Sequence, residues 1–224
     1  MRRYGFVMLA VAALVFVGIT AGADNRLNNV QATGGSQALP PVPHGEATEA
    51  LFRGDMVAEM GLGCSNTAGT SGGPNDWAVG VTATLTPPFG IISTTYNVFT
   101  NVSPSLTAFT FKAWAPGSAP GAELGARPFG AAGASQGNHT VAVSPAITVT
   151  TPSLYFGFYQ AQSNAALRLG EDTTTSAGTS FIRAPGCGLA GWGTVDSIGF
   201  PGNWVMRAIV DDTIPVELMS IGIE

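Results

Sequence analysis

The chain has 224 residues, of which nine are Lys or Arg, 14 are Asp or Glu and two are His, for a net charge of −5 at neutral pH. Nucleic-acid binding needs basic side chains to displace counterions from phosphate, and adhesion to anionic lipid needs the same surplus, so the composition excludes both. Charged residues are 10% of the chain against 30 Gly and 15 Pro, which penalises helix interiors and suits a sheet surface of small, hydroxylated side chains.

The N-terminus reads Met1-Arg2-Arg3, then an apolar run from Phe6 to Val17, then Gly18-Ile19-Thr20-Ala21-Gly22-Ala23. A basic start, an apolar stretch and a small-x-small ending predict a signal peptide over 1–23 and hence export. The run is shorter than the roughly 18 to 20 apolar residues needed to span a bilayer, and no later segment is apolar enough to do so. Cleavage there would leave seven basic and 14 acidic residues, a net charge of −7.

Residues 24–45 are polar and then Pro-rich, closing on Leu39-Pro40-Pro41-Val42-Pro43-His44-Gly45, and predict a flexible arm. Residues 46–224 predict a single domain. Its first stretch, Glu46 to Met60, carries Leu51, Phe52, Met56 and Met60 and is the one helical candidate, interrupted by Gly54. Cys64 and Cys187 are the only cysteines. In an oxidising compartment they predict one disulfide, worth about 4 to 5 kcal/mol in the chain-entropy model, because no second Cys or His stands at ligand spacing from either.

Gly69-Thr70-Ser71-Gly72-Gly73-Pro74 is similar to the Gly-Asp-Ser-Gly-Gly-Pro nucleophile motif of trypsin-like proteases. A nucleophilic serine needs a histidine base oriented by a carboxylate. Only His44 and His139 exist; His44 lies in the Pro-rich arm, most of the chain follows the serine, and Thr70 replaces the aspartate. The motif therefore predicts a Gly/Ser loop, and no catalytic residue is assigned.

From Asp76 onward apolar residues recur at every second position, the signature of half-buried strands. The alternation runs through Val79, Val81, Ala83 and Leu85, through Phe109, Phe111 and Ala113, and through Val141, Val143, Ile147 and Val149. It continues in Leu154, Phe156 and Phe158, in Trp204, Met206, Ala208 and Val210, and in Met219, Ile221 and Ile223. Turn-rich stretches separate these runs: Pro87-Pro88-Phe89-Gly90, Asn101-Val102-Ser103-Pro104, and Ala115 to Gly137. The Gly-rich part of the last one, Gly121 to Gly137, lacks the following helix that a phosphate cradle requires. Many short strands with such punctuation predict an all-β, antiparallel β-sandwich of jelly-roll type.

The carboxylates Glu171, Asp172, Asp211 and Asp212, with Asp76 and Asp196 elsewhere, are candidate ligands for a structural Ca²⁺, which takes several converging oxygens. Without an Asp-rich calcium loop they read first as solvated turn residues, and no cofactor is assigned beyond that calcium option. Trp192, Tyr155 and Tyr159 are candidate glycan-stacking residues: Gly191 and Gly193 flank Trp192 and suggest a turn near the disulfide, and the tyrosines share the strand face opposite Phe156 and Phe158.

Leu154-Tyr155-Phe156-Gly157-Phe158-Tyr159, Leu167-Arg168-Leu169 with Asp172, Gly191-Trp192, and Gly202-Asn203-Trp204-Val205-Met206-Arg207-Ala208 together resemble a jelly-roll accessory module of secreted bacterial peptidases and adhesins, of the cleaved-adhesin kind. The resemblance covers Asp76 to Asp212, and Ile214-Pro215-Val216-Glu217-Leu218-Met219 is similar to the closing strand of uncharacterised exported bacterial proteins. It implies a secreted or cell-surface, non-catalytic protein whose partner is an extracellular glycan or a surface protein, although no catalytic domain accompanies the module here. The alternatives are a small glycan-active hydrolase using paired carboxylates and a self-associating surface or fibre subunit.

Overall fold

The computed structural model describes residues 25–31, 37–41, 48–66, 74–101, 109–129, 135–161 and 167–213. The expected signal peptide, His44, Ser71 and the final stretch with Met219, Ile221 and Ile223 lie outside them. Among the described residues sixteen strands form: β1 (Asn25–Gln31), β2 (Gln37–Ala38), β3 (Thr48–Leu51), β4 (Val57–Ala58), β5 (Met60–Asn66) and β6 (Asn75–Thr82). They continue with β7 (Phe89–Asn101), β8 (Phe109–Trp114), β9 (Glu123–Phe129), β10 (Gly137–Val149) and β11 (Ser153–Gln160). The last are β12 (Leu167–Asp172), β13 (Ser180–Ala184), β14 (Leu189–Thr194), β15 (Asn203–Trp204) and β16 (Met206–Asp211).

One sheet has eight strands in the order β1-β5-β12-β7-β16-β3, with β10 on β7 and β15 on β12; a second has six in the order β14-β13-β6-β11-β8-β9, and β2 and β4 pair in a separate two-stranded sheet. Among the described residues every strand pairing is antiparallel. Within this frame β5-β12-β7-β10 face β6-β11-β8-β9, so the chain crosses between layers in the order of a jelly roll. The flanking strands β1, β3, β13, β14, β15 and β16 are additions to that eight-stranded plan.

The core lies between the sheets. Trp77, Val79, Phe111, Phe156, Phe158 and Ile182 come from one side and Leu62, Phe89, Ile91, Tyr96, Val98, Leu169 and Met206 from the other, all buried. The Phe109 and Phe158 rings stack with centroids 4.8 Å apart, and Tyr96 of the facing sheet meets Phe158 at 4.3 Å. Two buried indoles tie the layers together by hydrogen bonds. Trp77 Nε1 donates to the Leu62 carbonyl (3.1 Å), and Trp204 Nε1 donates to the Phe181 carbonyl (2.8 Å). The disulfide crosses the same gap: Cys64 of β5 bonds to Cys187, in the short turn Pro185–Cys187 that joins β13 to β14.

Four expectations are corrected. The segment Glu46 to Met60 is not helical: it forms β3 and β4 and enters β5, with Gly54 and Met56 both at positive φ. Gly54 has φ +70°, and a Cβ there would collide with the Asp172 carboxylate, so the chain turns sharply where a helix would have run on. The stretch expected to be a flexible arm instead contributes β1, paired residue for residue with β5, and β2. Leu39 is buried with Met56, Ala58, Phe99 and Val205 in a second small cluster, and Arg207 Nη1 donates to the Pro40 carbonyl at 3.0 Å. The Gly/Ala/Pro stretch from Ala115 to Gly137 holds β9, a partly exposed edge strand that gives no apolar alternation and buries Phe129 at its end, and Phe89 and Gly90, expected in a turn, open β7.

Because the disulfide closes a separation of 123 residues, the reduced chain should melt roughly 10 °C below the oxidised one. Equal melting temperatures by circular dichroism, or two titratable thiols in the unreduced denatured chain, would contradict the bridge.

Candidate functional site

The core fixes the opposite face of the six-stranded sheet. With Trp77, Val79, Phe156 and Phe158 pointing inward, strand alternation sends Asp76, Ala78 and Gly80 of β6 and Tyr155, Gly157 and Tyr159 of β11 outward. The register places Asp76 opposite Tyr159 on one side and Arg183 on the other, and Ala78 opposite Gly157 and Phe181. Further across, Tyr155 stands opposite Trp114, Gly157 opposite Lys112 and Tyr159 opposite Thr110. Small residues thus occupy the middle of the face, and long side chains close over them from both sides.

Part of that closure is a compact apolar cluster of Ala78, Trp114, Tyr155 and Phe181, against which Ala119 and Trp192 pack. Tyr155 faces outward as the alternation requires, but it is only 8% exposed. Its ring meets Phe181 edge-on at 5.4 Å and its hydroxyl donates to the Gly117 carbonyl at 2.9 Å. The loop after β8 therefore covers Tyr155 and removes it from ligand contact. Trp192 lies on β14, at the edge of the sheet, and not in a turn. It is partly exposed, edge-on to Trp114 at 5.4 Å, with the Arg183 guanidinium 5.0 Å from its ring. Tyr159 is also partly exposed, with Lys112 Nζ 4.6 Å from its ring.

Between these rings sits a charged pair. Arg183 Nε and Nη2 both donate to Asp76 Oδ2, at 3.0 and 2.9 Å. Asp76 Oδ1 is buried without a hydrogen-bond partner. Burial pushes the Asp76 carboxyl above its ordinary range, and the bond to Arg183 opposes that shift. Lys112 forms a second ion pair with Glu123 at 3.0 Å. Arg183 and the ring of loop and strand residues around Asp76 were not legible in the sequence, because β13 is buried at nearly every position and shows no alternation.

The candidate metal ligands separate into distinct places. Asp211 and Asp212 end β16; Asp211 Oδ1 accepts from the Thr213 hydroxyl (2.6 Å) and N–H (2.7 Å), which pulls its carboxyl below the usual range, and Asp212 is exposed. Asp172 is fully buried and holds the chain around it: Oδ2 accepts from the Asp55 N–H, and Oδ1 from the Thr174 N–H and hydroxyl. Asp55, Glu59 and Asp172 bring ligand atoms within 4.8 Å of one another, a grouping that joins the residues flanking β4 to the end of β12. Glu171 points the other way, toward the core side of β12 with Leu167 and Leu169, and is fully buried. Burial, reinforced by the negative charges of Asp196 and Asp172, pushes its carboxyl up to about 8.

No family model matches the chain, and no curated protein matches it in sequence. Among solved structures the fold is similar to that of the cysteine protease and lectin-like domains of Cwp84, a surface layer associated protein of Clostridium difficile. The identity is 9% and the TM-score 0.54, over 74% of this chain and 36% of that one. A clostridial Cwp84 structure after propeptide cleavage gives 11% identity and a TM-score of 0.44, over 63% of this chain and 36% of that one. The chain spans little more than a third of the length of these structures, and at such identities the likeness is one of fold.

Replacing Arg183 by Met should destabilise the fold by about 1 to 3 kcal/mol, since it strands a buried carboxylate, with the figure held down because the Arg183 side chain is 37% exposed. Without the guanidinium the Asp76 carboxyl rises further. Its contribution is then complete below the ordinary value of 3.8 and lost as pH climbs through the raised folded value. The deficit in urea midpoint should therefore be larger at pH 7 than at pH 4; equal deficits would show that Arg183 does not serve Asp76.

Proposed function

We propose that the chain is an exported, non-catalytic β-sandwich that binds an extracellular glycan on the outer face of its six-stranded sheet. The observation that carries this reading is the patch in which Trp192 and Tyr159, both partly exposed, flank the Asp76–Arg183 ion pair. Sugar rings offer an apolar C–H face and a rim of hydroxyls, so they are bound by aromatic surface beside fixed polar groups. Arg183 spends Nε and Nη2 on Asp76, and its third nitrogen, Nη1, makes no hydrogen bond among the described residues. That leaves a donor held in place by the carboxylate below it.

The jelly-roll fold supports the same reading, since a structure of similar fold includes a lectin-like domain of a surface-associated protein. The missing basic surplus and the N-terminal segment point to an extracellular ligand that is not nucleic acid. Among the described residues no helix is long and apolar enough to cross a membrane. A glycosidase would need two carboxylates reaching one glycosidic bond. Glu171, which Asp196 influences electrostatically, is fully buried, and Asp76 is committed to Arg183, so neither supplies a solvent-facing acid.

A glycan array with the purified chain, followed by calorimetry on the strongest hit, tests this. Trp192→Ala should weaken binding at least about tenfold, equivalent to about 1.4 kcal/mol, with little change in melting temperature because the ring is partly exposed. Undiminished binding in that variant, or an array without any hit, would set the glycan site aside.

A further inference from the structure

The N-terminal arm is held at the periphery of the sandwich by two separate attachments. β1 is the terminal strand of the eight-stranded sheet and pairs only with β5, from Asn25 opposite Asn66 to Gln31 opposite Met60. β2 pairs only with β4, in a sheet of their own. Among the described residues, both strands can leave without breaking any other strand pairing.

The seat of β2 and the residues after it is specific. Gln37 and Ala38 stand opposite Ala58 and Val57, and the Leu39 N–H donates to the Met56 carbonyl at 3.0 Å. The Leu39 side chain fills a pocket of Met56, Ala58, Phe99 and Val205, a cluster apart from the main core. Asn138 Nδ2 donates to the Ala38 carbonyl (2.7 Å) and Asn97 Nδ2 to Gln37 Oε1 (3.0 Å). Pro40 and Pro41 have no N–H and offer only carbonyls. Arg207 donates to both, through Nη1 at 3.0 Å and Nη2 at 3.5 Å. Arg207 is buried, and among the described residues no carboxylate pairs with it.

An emptied seat would be unstable in two ways. β5 would present a row of unpaired N–H and C=O groups, the template on which another strand pairs. The Arg207 guanidinium would lose two acceptors, and an unsatisfied buried donor is costly. One kind of segment repairs both defects: a strand to add to β5, then a leucine, then two successive proline carbonyls. A second copy of the chain carries that segment. From Leu27 to Gly45 the arm has no Asp, Glu, Lys or Arg, in a chain of net charge −5, so it crosses between acidic copies without adding to their repulsion.

We propose that copies of this chain associate by exchanging their N-terminal arms, residues 25–41 of one copy occupying β5, β4 and the Leu39 pocket of the other. Exchange of an identical element remakes between two chains the contacts that the closed monomer makes within one, so it needs no new surface. Within a single chain the arm is held at high effective concentration. The closed monomer is therefore the dilute form, and the exchanged form prevails where copies are crowded. The exchange lies on the eight-stranded sheet and does not rest on the glycan reading.

Full-length Ala38→Cys and Val57→Cys variants, prepared separately with different tags, test this when mixed at high concentration and oxidised. Ala38 is exposed, Val57 is partly so, and the two stand opposite each other, so an exchanged arm brings the two thiols together. The mixture should yield a disulfide-linked dimer carrying both tags, in excess of any dimer that either variant forms alone. Gln37→Cys with Ala58→Cys repeats the comparison if either variant fails to fold. Light scattering of the unmodified chain should show a dimer fraction that grows in proportion to concentration while dimers are few. An unmodified chain that stays monomeric at every concentration, or folded variants that link no better mixed than alone, would overturn the exchange.

Discussion

The packing of Phe158 against Phe109 and Tyr96 fixes the direction of every side chain on the six-stranded sheet. Phe158 sits in β11, between β6 and β8, and its ring is held from its own sheet and from the facing one. Side chains alternate strictly along a strand, so a slip of one residue would bury Tyr155 and Tyr159 and expose both phenylalanines. The patch on the outer face is thus the reverse side of the aromatic core. Asp76, Tyr159 and Lys112 stand where they do because Trp77, Phe158 and Phe111 stand opposite.

The same constraint explains how polar groups are tolerated in so apolar an interior. Trp77 and Trp204 each place an N–H within reach of a carbonyl on the other sheet, and Asn75 accepts from the Cys64 N–H while donating to Gln160. These bonds set the sheets at a definite separation, and the disulfide fastens the same region covalently. Hydrogen bonding, stacking and the covalent bridge therefore converge on the end of the sandwich where β5, β6 and β13 meet. Asp76 and Arg183 emerge on its outer surface.

At β12 the alternation has a second consequence. Leu167, Leu169 and Glu171 share the inward face, so the strand delivers a carboxylate to a position that its own pattern reserves for an apolar side chain. Asp172, one residue on, turns outward to Gly54 and Asp55. Adjacent acids in the sequence thereby point to opposite faces of one sheet, and among the described residues the Asp172 carboxylate alone of the two holds neighbouring loop residues by hydrogen bonds.

The sequence by itself determined the all-β class, the buried faces of β6, β8, β10, β11 and β16, and the partnership of Cys64 with Cys187. Each follows from local periodicity or from elimination between two residues. Tyr155 and Tyr159 were legible as outward-facing for the same reason. What only the tertiary structure decided is which of them a loop covers, and that Trp192 reaches Trp114 from β14, four strands away in the sheet order. It also decided that Arg183 meets Asp76, that residues 25–31 join the eight-stranded sheet, and that the stretch from Glu46 to Met60 extends and turns. Those outcomes depend on pairings between segments often a hundred residues apart, whose energies arise from surfaces brought together, and a period-two pattern reports only the face a strand buries and not the partner it buries it against.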